Sequence, residues 1–133
     1  MLIHFKKNYL LSILFLSFSL FFSTTSWAKN WYEGGTLNDS NAISWQRADY
    51  DNKLASCADL IATLYNKELL APKVRRKIRK IDDFKPYAEQ LVKQLDEAFK
   101  PEPDIKKNER MYSNQGVASS ALMIMLMNDW VKK

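Results

Sequence analysis

The spacing of apolar residues over positions 49–66 constrains the fold of this chain more than any other sequence feature. Apolar side chains recur there every three or four residues, with polar side chains between them. Because an α-helix turns once in about 3.6 residues, this spacing places the apolar side chains on one helical face. We therefore predict an amphipathic helix here, whose apolar face consists of Tyr50, Leu54, Cys57, Ala58, Ile61, Leu64 and Tyr65.

Three further stretches are predicted to be helical for similar reasons. A short helix is expected over residues 40–48, and a basic helix is expected from Pro72 to Ile81. Val74, Ile78 and Ile81 are expected to share the apolar side of the basic helix. A longer helix should follow Asp83, which we predict as its N-cap. Its apolar stripe consists of Phe84, Tyr87, Ala88, Leu91, Leu95, Ala98 and Phe99. Residues 105–110 are predicted to be a polar connector.

The C-terminal segment is the hardest to assign because residues 121–127 are apolar on every side. Ala, Leu and Met are strong helix formers, so we predict a helix over residues 114–131. This helix is expected to be buried on most sides and to form the centre of the fold. Met123, Met125 and Met127 are then expected to fill the core, because steps of two residues scatter their sulfur atoms around a helix. A methionine-lined groove for an apolar partner is the alternative.

The N-terminus has the features of a secretory signal peptide. Lys6 and Lys7 precede an apolar run over residues 9–22, and small residues follow at Ser26 and Ala28. We predict cleavage after Ala28 and export to the periplasm or the cell exterior. The expected organisation is thus a signal peptide, residues 1–28, and a single helical domain, residues 29–133. The predicted fold class is all-α, a small bundle of four to five helices.

Several catalytic chemistries are unavailable to the processed chain. The only histidine, His4, lies in the predicted signal peptide, and Cys57 is the only cysteine. Triads that need histidine and metal sites built from histidine or several cysteines are therefore not expected. We predict no cofactor, no metal and no enzymatic activity. A hydrolase built on carboxylates is the remaining alternative, and Glu33 is its least poor candidate.

Cys57 lies on the apolar face of its predicted helix. A free cysteine in that position usually behaves as a small buried apolar side chain. The alternative is a disulfide to a second chain, since an exported protein with one cysteine can pair between molecules. We favour the buried cysteine over a homodimer linked through Cys57.

The basic stretch is the strongest candidate for a partner-binding site. Six of its eight residues carry positive charge, namely Lys73, Arg75, Arg76, Lys77, Arg79 and Lys80. Removal of Lys6 and Lys7 leaves 18 Lys and Arg against 15 acids, so the processed chain has a net charge of +3. A solvated helix face is the simplest interpretation of these charges. The functional alternatives are docking to an acidic protein surface, to anionic lipid or to an envelope polysaccharide. Nucleic acid is not expected, because no aromatic residues alternate with these charges to stack on bases.

Trp31 and Tyr32 form the second candidate contact site. They precede Gly34 and Gly35, which are expected to form a turn that brings the N-terminal segment onto the bundle. We favour a structural role, in which both rings cover an edge of the core. An aromatic contact patch for a partner is the alternative.

Taken together, these features predict a small exported protein that acts by binding another macromolecule and not by catalysis. The expected partner is a protein, in the manner of small exported inhibitors, immunity proteins or chaperones. The alternative is an envelope-surface protein that binds anionic lipid or polysaccharide through the basic stretch.

Overall fold

The computed structural model describes residues 27–133, so residues 1–26 of the predicted signal peptide lie outside the described part. Residues 27–133 form an all-α bundle without a β-strand, which confirms the predicted fold class. The bundle has six α-helices and one 3₁₀ helix, against the four to five helices predicted. The helices are α1 (Ala42–Arg47), α2 (Tyr50–Asn66), α3 (Pro72–Arg75), the 3₁₀ helix (Ile81–Phe84), α4 (Lys85–Ala98), α5 (Ile105–Tyr112) and α6 (Val117–Met127).

The centre of the fold is the pair α2 and α4, not the C-terminal helix as predicted. Helix α2 begins at an Asp49 cap, whose carboxylate accepts a hydrogen bond from the Asn52 amide. Its predicted apolar face is buried over most of its length, with Tyr50 more than half exposed at its start. Helix α4 contributes a matching buried stripe of Ala88, Leu91, Val92 and Leu95.

Helix α6 is shorter and more exposed than predicted. It spans Val117–Met127 instead of residues 114–131, and its buried residues are Val117, Ala121 and Met125. The expectation that Met123 and Met127 fill the core is therefore wrong, since their side chains are 60% and 77% exposed. The physical reason is that α6 packs chiefly against α4, so that only one side of its apolar stretch, residues 121–127, is covered.

The predicted connector at residues 105–110 is instead part of helix α5. The carboxylate of Asp104 caps this helix by accepting a hydrogen bond from the Lys107 amide. Tyr112 is its only buried residue and donates a hydrogen bond of 2.8 Å to the Lys100 carbonyl. A helix with one buried side chain has no repeating apolar positions, so the spacing of apolar residues does not predict this helix.

Backbone hydrogen bonds fasten both ends of α6 to the rest of the bundle. Asn41 pairs with Gly116 before the helix, and Leu70 pairs with Val131 after it. The amide of Ala71 donates to the Trp130 carbonyl at 2.7 Å. The end of α6 is thereby held beside the start of α3. No helix within residues 27–133 has both the length and the apolar character needed to cross a bilayer.

Candidate functional site

The basic segment, residues 73–80, is less regular than the predicted helix. Helix α3 ends at Arg75, and tighter turns follow, in which the Ile78 amide donates to the Arg75 carbonyl. Asp83 is not the N-cap of α4 as predicted but a residue of the 3₁₀ helix, and its carboxylate accepts from the Arg79 and Lys80 amides at 2.8 and 3.0 Å. The Asp83 carboxylate thus takes the place of the backbone carbonyls that would accept from these two amides in a helix, and the helix does not continue through them.

Most of the cations on the basic segment point into solvent. Val74 and Ile78 anchor the segment in the core, where they are 3% and 5% exposed. The exposed cations are Lys73, Arg76, Lys77, Arg79 and Lys80. Among the ion pairs formed within residues 27–133, none involves any of these five side chains. The structure thus presents a concentrated, anchored positive charge.

Arg75 contacts another helix of the fold, whereas the guanidinium of Arg76 donates to the Pro72 carbonyl of its own helix. The Arg75 guanidinium donates to the Tyr65 carbonyl at 3.1 Å and lies 4.6 Å from the centre of the Tyr65 ring. It also lies 3.7 Å from the carboxylate of Glu68. These contacts fasten α3 to the end of α2, so Arg75 has less freedom to meet a partner than its neighbours.

The carboxylates around the basic segment are themselves held by hydrogen bonds. The backbone amides of Arg79 and Lys80 lower the pKa of Asp83 below its ordinary value. A hydrogen bond from Lys133, together with the nearby charges of Lys133 and Lys73, lowers the pKa of Asp129. Both groups therefore stay ionised at neutral pH and already have partners in the fold.

The two candidate sites predicted from the sequence are the basic segment and the pair Trp31 and Tyr32, and both sites contact the 3₁₀ helix. The indole of Trp31 donates to the carboxylate of Asp82 at 2.9 Å, and the Lys85 ammonium lies 5.9 Å from the same ring. Trp31 packs edge-to-face against Tyr32, and both are half-buried against the core. The aromatic pair thus supports the segment that follows the last basic residue.

The glycine pair has the structural role that the sequence suggested. Gly34 has a positive φ of 79°, and a Cβ on Gly35 would lie only 2.5 Å from the Ser56 amide nitrogen. The Ser56 hydroxyl accepts a hydrogen bond from the Leu37 amide at 3.1 Å. The N-terminal segment therefore lies directly on the backbone of α2, where only glycine allows so close an approach.

Cys57 is fully buried, as predicted. Burial raises the pKa of its thiol far above the ordinary value. A disulfide from this position to a second chain would require α2 to leave the core, which gives the Cys57-linked homodimer no structural support.

The catalytic candidate among the carboxylates is Glu33. Glu33 is exposed, and its carboxylate accepts a 2.8 Å hydrogen bond from the Asn30 side chain. Within residues 27–133, no three His, Cys, Asp or Glu side chains lie together in an arrangement that could hold a metal ion.

The sequence indicated an exposed methionine surface on α6 only as the alternative to core filling. Leu122, Met123, Leu126 and Met127 are 41%, 60%, 42% and 77% exposed. The only sequence signal was the absence of a charged residue between Val117 and Met127, which marks an apolar helix without indicating which side faces outward.

Comparison of the chain with protein-family models, with curated proteins and with solved structures gave no match.

Proposed function

We propose that this protein is exported and acts by binding another protein, whose acidic surface docks on the basic segment. In this role it would resemble a small exported inhibitor, immunity protein or chaperone and would need no catalytic group. The observation that carries the proposal is a set of five exposed cations that form no ion pair within residues 27–133, on a segment anchored in the core.

Anchoring matters because a backbone that is already fixed loses less conformational entropy on binding than a flexible segment does. Val74 and Ile78 hold the basic segment against the core, and the carboxylate of Asp83 holds the backbone at the end of the segment. Like charges held close together repel one another, so an acidic partner would relieve that repulsion on binding. Such a surface also speeds the encounter with an oppositely charged partner.

Burial of the apolar anchors favours a protein partner over a lipid bilayer. A membrane-binding helix inserts its apolar face between lipid headgroups. Val74 and Ile78, which would have to insert, are already buried, and Ile81 is the one apolar residue of the predicted helix that remains exposed, at 46%. Binding to anionic lipid or polysaccharide would then depend on charge alone.

Charge reversal tests the proposal. In Arg76→Glu/Arg79→Glu, two exposed cations of the basic segment are reversed, and capture of a partner from envelope or culture fractions should be lost. The matched control is Lys106→Glu/Arg110→Glu, which makes the same change in net charge at two exposed positions of α5. The control should capture the partner as well as the wild type, with helical circular dichroism unchanged in both variants.

Two outcomes would contradict the proposal. Equal capture by both variants would remove the basic segment from the binding site. Sedimentation of the wild type with anionic vesicles or polysaccharide, together with failure to capture a protein, would favour the envelope-surface alternative.

Export has a separate test, since binding and export can fail independently. We expect the protein recovered from the periplasm or the medium to begin at Lys29, because the small residues Ser26 and Ala28 suit signal peptidase. Intact mass and N-terminal sequencing measure this directly. An uncleaved chain that stays in the cytoplasm would contradict the export part of the proposal.

A further inference from the structure

Ile81 is an exposed apolar residue at the junction of the basic segment and the 3₁₀ helix. The spacing of apolar residues predicts it on the buried side of the basic helix, together with Val74 and Ile78. That helix ends at Arg75, however, and Ile81 is 46% exposed whereas Val74 and Ile78 are buried. Ile81 directly follows Lys80, the last cation of the basic segment. The proposed docking surface therefore ends in an apolar side chain.

The ring of Trp31 lies beside the start of the 3₁₀ helix. Its indole N–H donates a hydrogen bond of 2.9 Å to the carboxylate of Asp82, the residue that follows Ile81. The ring of Tyr32 packs edge-to-face on Trp31, with 5.5 Å between the ring centres, and both rings are half-buried. We call Ile81, Trp31 and Tyr32 the apolar patch. The patch adjoins the basic segment, although its aromatic rings come from a distant part of the chain.

Hydrogen bonds fix the apolar patch in the free protein. The Asp83 amide donates to the Lys80 carbonyl at 3.0 Å, and the Asp83 carboxylate accepts from the Lys80 amide at the same distance. These two bonds hold the backbone on both sides of Ile81. The bond from the Trp31 indole to Asp82 holds the larger ring. A surface that is already ordered loses little conformational entropy when a partner docks on it.

The charges that border the apolar patch outside the basic segment nearly cancel. Asp82 and Asp83 belong to the 3₁₀ helix, and the Lys85 ammonium lies 5.9 Å from the centre of the indole ring. Lys29 and Glu33 border the aromatic pair in the N-terminal segment. Two cations thus accompany three carboxylates around the patch, whereas the basic segment carries five exposed cations. A partner therefore gains from carboxylates over the basic segment and from an uncharged side chain over the patch.

We propose that the acidic partner of this protein carries a large apolar side chain next to its carboxylates, and that this side chain docks on the apolar patch. The inference rests on the proposed function, because it specifies the partner of the same docking surface. The carboxylates supply the salt-dependent attraction, and the apolar contact discriminates against partners that are only acidic. Tryptophan, tyrosine and arginine, which this surface combines, are the residues that most often dominate the binding energy of protein interfaces.

Other occupants fit the combined surface less well. An anionic bilayer would bring lipid phosphates toward Asp82 and Asp83, and these carboxylates would repel them. A wholly apolar partner would leave the five exposed cations of the basic segment without a role.

NMR titration of the purified, isotopically labelled protein with three blocked synthetic peptides tests the proposal. Intact mass defines the N-terminus of the protein used. The first peptide has phenylalanine between two runs of glutamate, so that it can dock in either chain direction. The second peptide has serine in place of the phenylalanine, and the third has serine in place of every glutamate.

Both acidic peptides should shift the amide signals of residues 73–80, and only the phenylalanine peptide should also shift the Trp31 indole and Ile81 amide signals. Its Kd should be roughly fivefold lower than that of the acidic serine peptide, because docking partly buries an apolar side chain. Ile81→Ser should reduce this preference to roughly twofold. The matched control is Ile105→Ser, which makes the same change at an exposed position of α5 and should leave the preference unchanged.

Failure of this inference and failure of the proposed function give different spectra. Shifts confined to residues 73–80 and equal for the two acidic peptides would overturn the apolar contact and leave docking on the basic segment intact. A preference for phenylalanine that survives Ile81→Ser would also overturn it. Equal shifts of the apolar patch by the uncharged peptide would show that the patch binds apolar groups without an acidic partner. Unmoved signals over residues 73–80 with both acidic peptides would contradict the proposed function itself.

Discussion

The substitution Gly35→Ala should destabilise the fold more than its single added methyl group suggests. The new Cβ would lie 2.5 Å from the Ser56 amide nitrogen, 2.7 Å from its Cα and 2.8 Å from the Ala55 carbonyl carbon. All three atoms belong to the backbone of α2, and Ala55 and Ser56 are completely buried. The neighbours therefore cannot move aside as a flexible side chain would.

The N-terminal segment would have to move away from α2 instead. That movement breaks the hydrogen bond from the Leu37 amide to Ser56 and the two hydrogen bonds, of 2.9 and 2.8 Å, between Thr36 and Asn52. It also uncovers Leu37, which is 4% exposed. Loss of the leucine burial costs about 2 kcal/mol. The buried hydrogen bond costs about 1 kcal/mol more.

We therefore expect the free energy of unfolding to fall by about 3 kcal/mol, somewhat offset by the lower chain entropy of unfolded alanine. For a domain of this size, that corresponds to a melting temperature roughly 10–20 °C lower. Urea unfolding followed by circular dichroism measures the change.

Gly34→Ala is the control for this experiment. Its Cβ would meet only the flexible end of the Lys29 side chain, although the positive φ of 79° adds strain. That strain costs about 1 kcal/mol. If Gly35→Ala costs no more than Gly34→Ala, the close approach to α2 is not what fixes the N-terminal segment.

Three further predictions follow from individual contacts. Ser56→Ala leaves the Leu37 amide without its buried acceptor and should lower the free energy of unfolding by about 1–2 kcal/mol in urea titrations. Asp83→Asn should reduce stability at neutral pH only. Because hydrogen bonds lower the pKa of Asp83 in the folded state, its contribution is present above the unfolded pKa and is lost as pH falls through the folded pKa, where the variant and wild type should converge. A variant equally impaired at every pH would argue against this. The Cys57 thiol should react with a thiol reagent only as fast as the fold opens, so rapid labelling under native conditions would contradict its burial.

Helix α2 could be predicted from sequence because it faces the core on one side and solvent on the other. A helix of this kind has apolar residues at every third or fourth position of its sequence. Leu54, Cys57 and Ile61 are buried in the structure, as this spacing indicates. Helix α6 has no such period, since apolar residues occupy every side. Which side faces inward is decided by the position of α4, a contact between segments distant in the chain.

Helix α5 and the basic segment illustrate a second limit of sequence reasoning. Helix α5 is fixed by polar contacts between distant residues, including two hydrogen bonds exchanged by Gln46 and Asn108. Such bonds leave no periodic signal. The charges of the basic segment can be read from the sequence. Two of its contacts cannot, because they form only in the folded chain: the hydrogen bond from Arg75 to the Tyr65 carbonyl and the hydrogen bond from the Arg79 amide to the Asp83 carboxylate.

The most direct test of the central claim is the affinity of the protein for its captured partner at several salt concentrations. Charges separated by more than about 8 Å are screened at physiological ionic strength, so docking through the basic segment should weaken as salt rises. Arg76→Glu/Arg79→Glu should raise the Kd at least roughly tenfold at low salt and flatten the salt dependence. An unchanged Kd with the same salt dependence would show that the partner binds elsewhere.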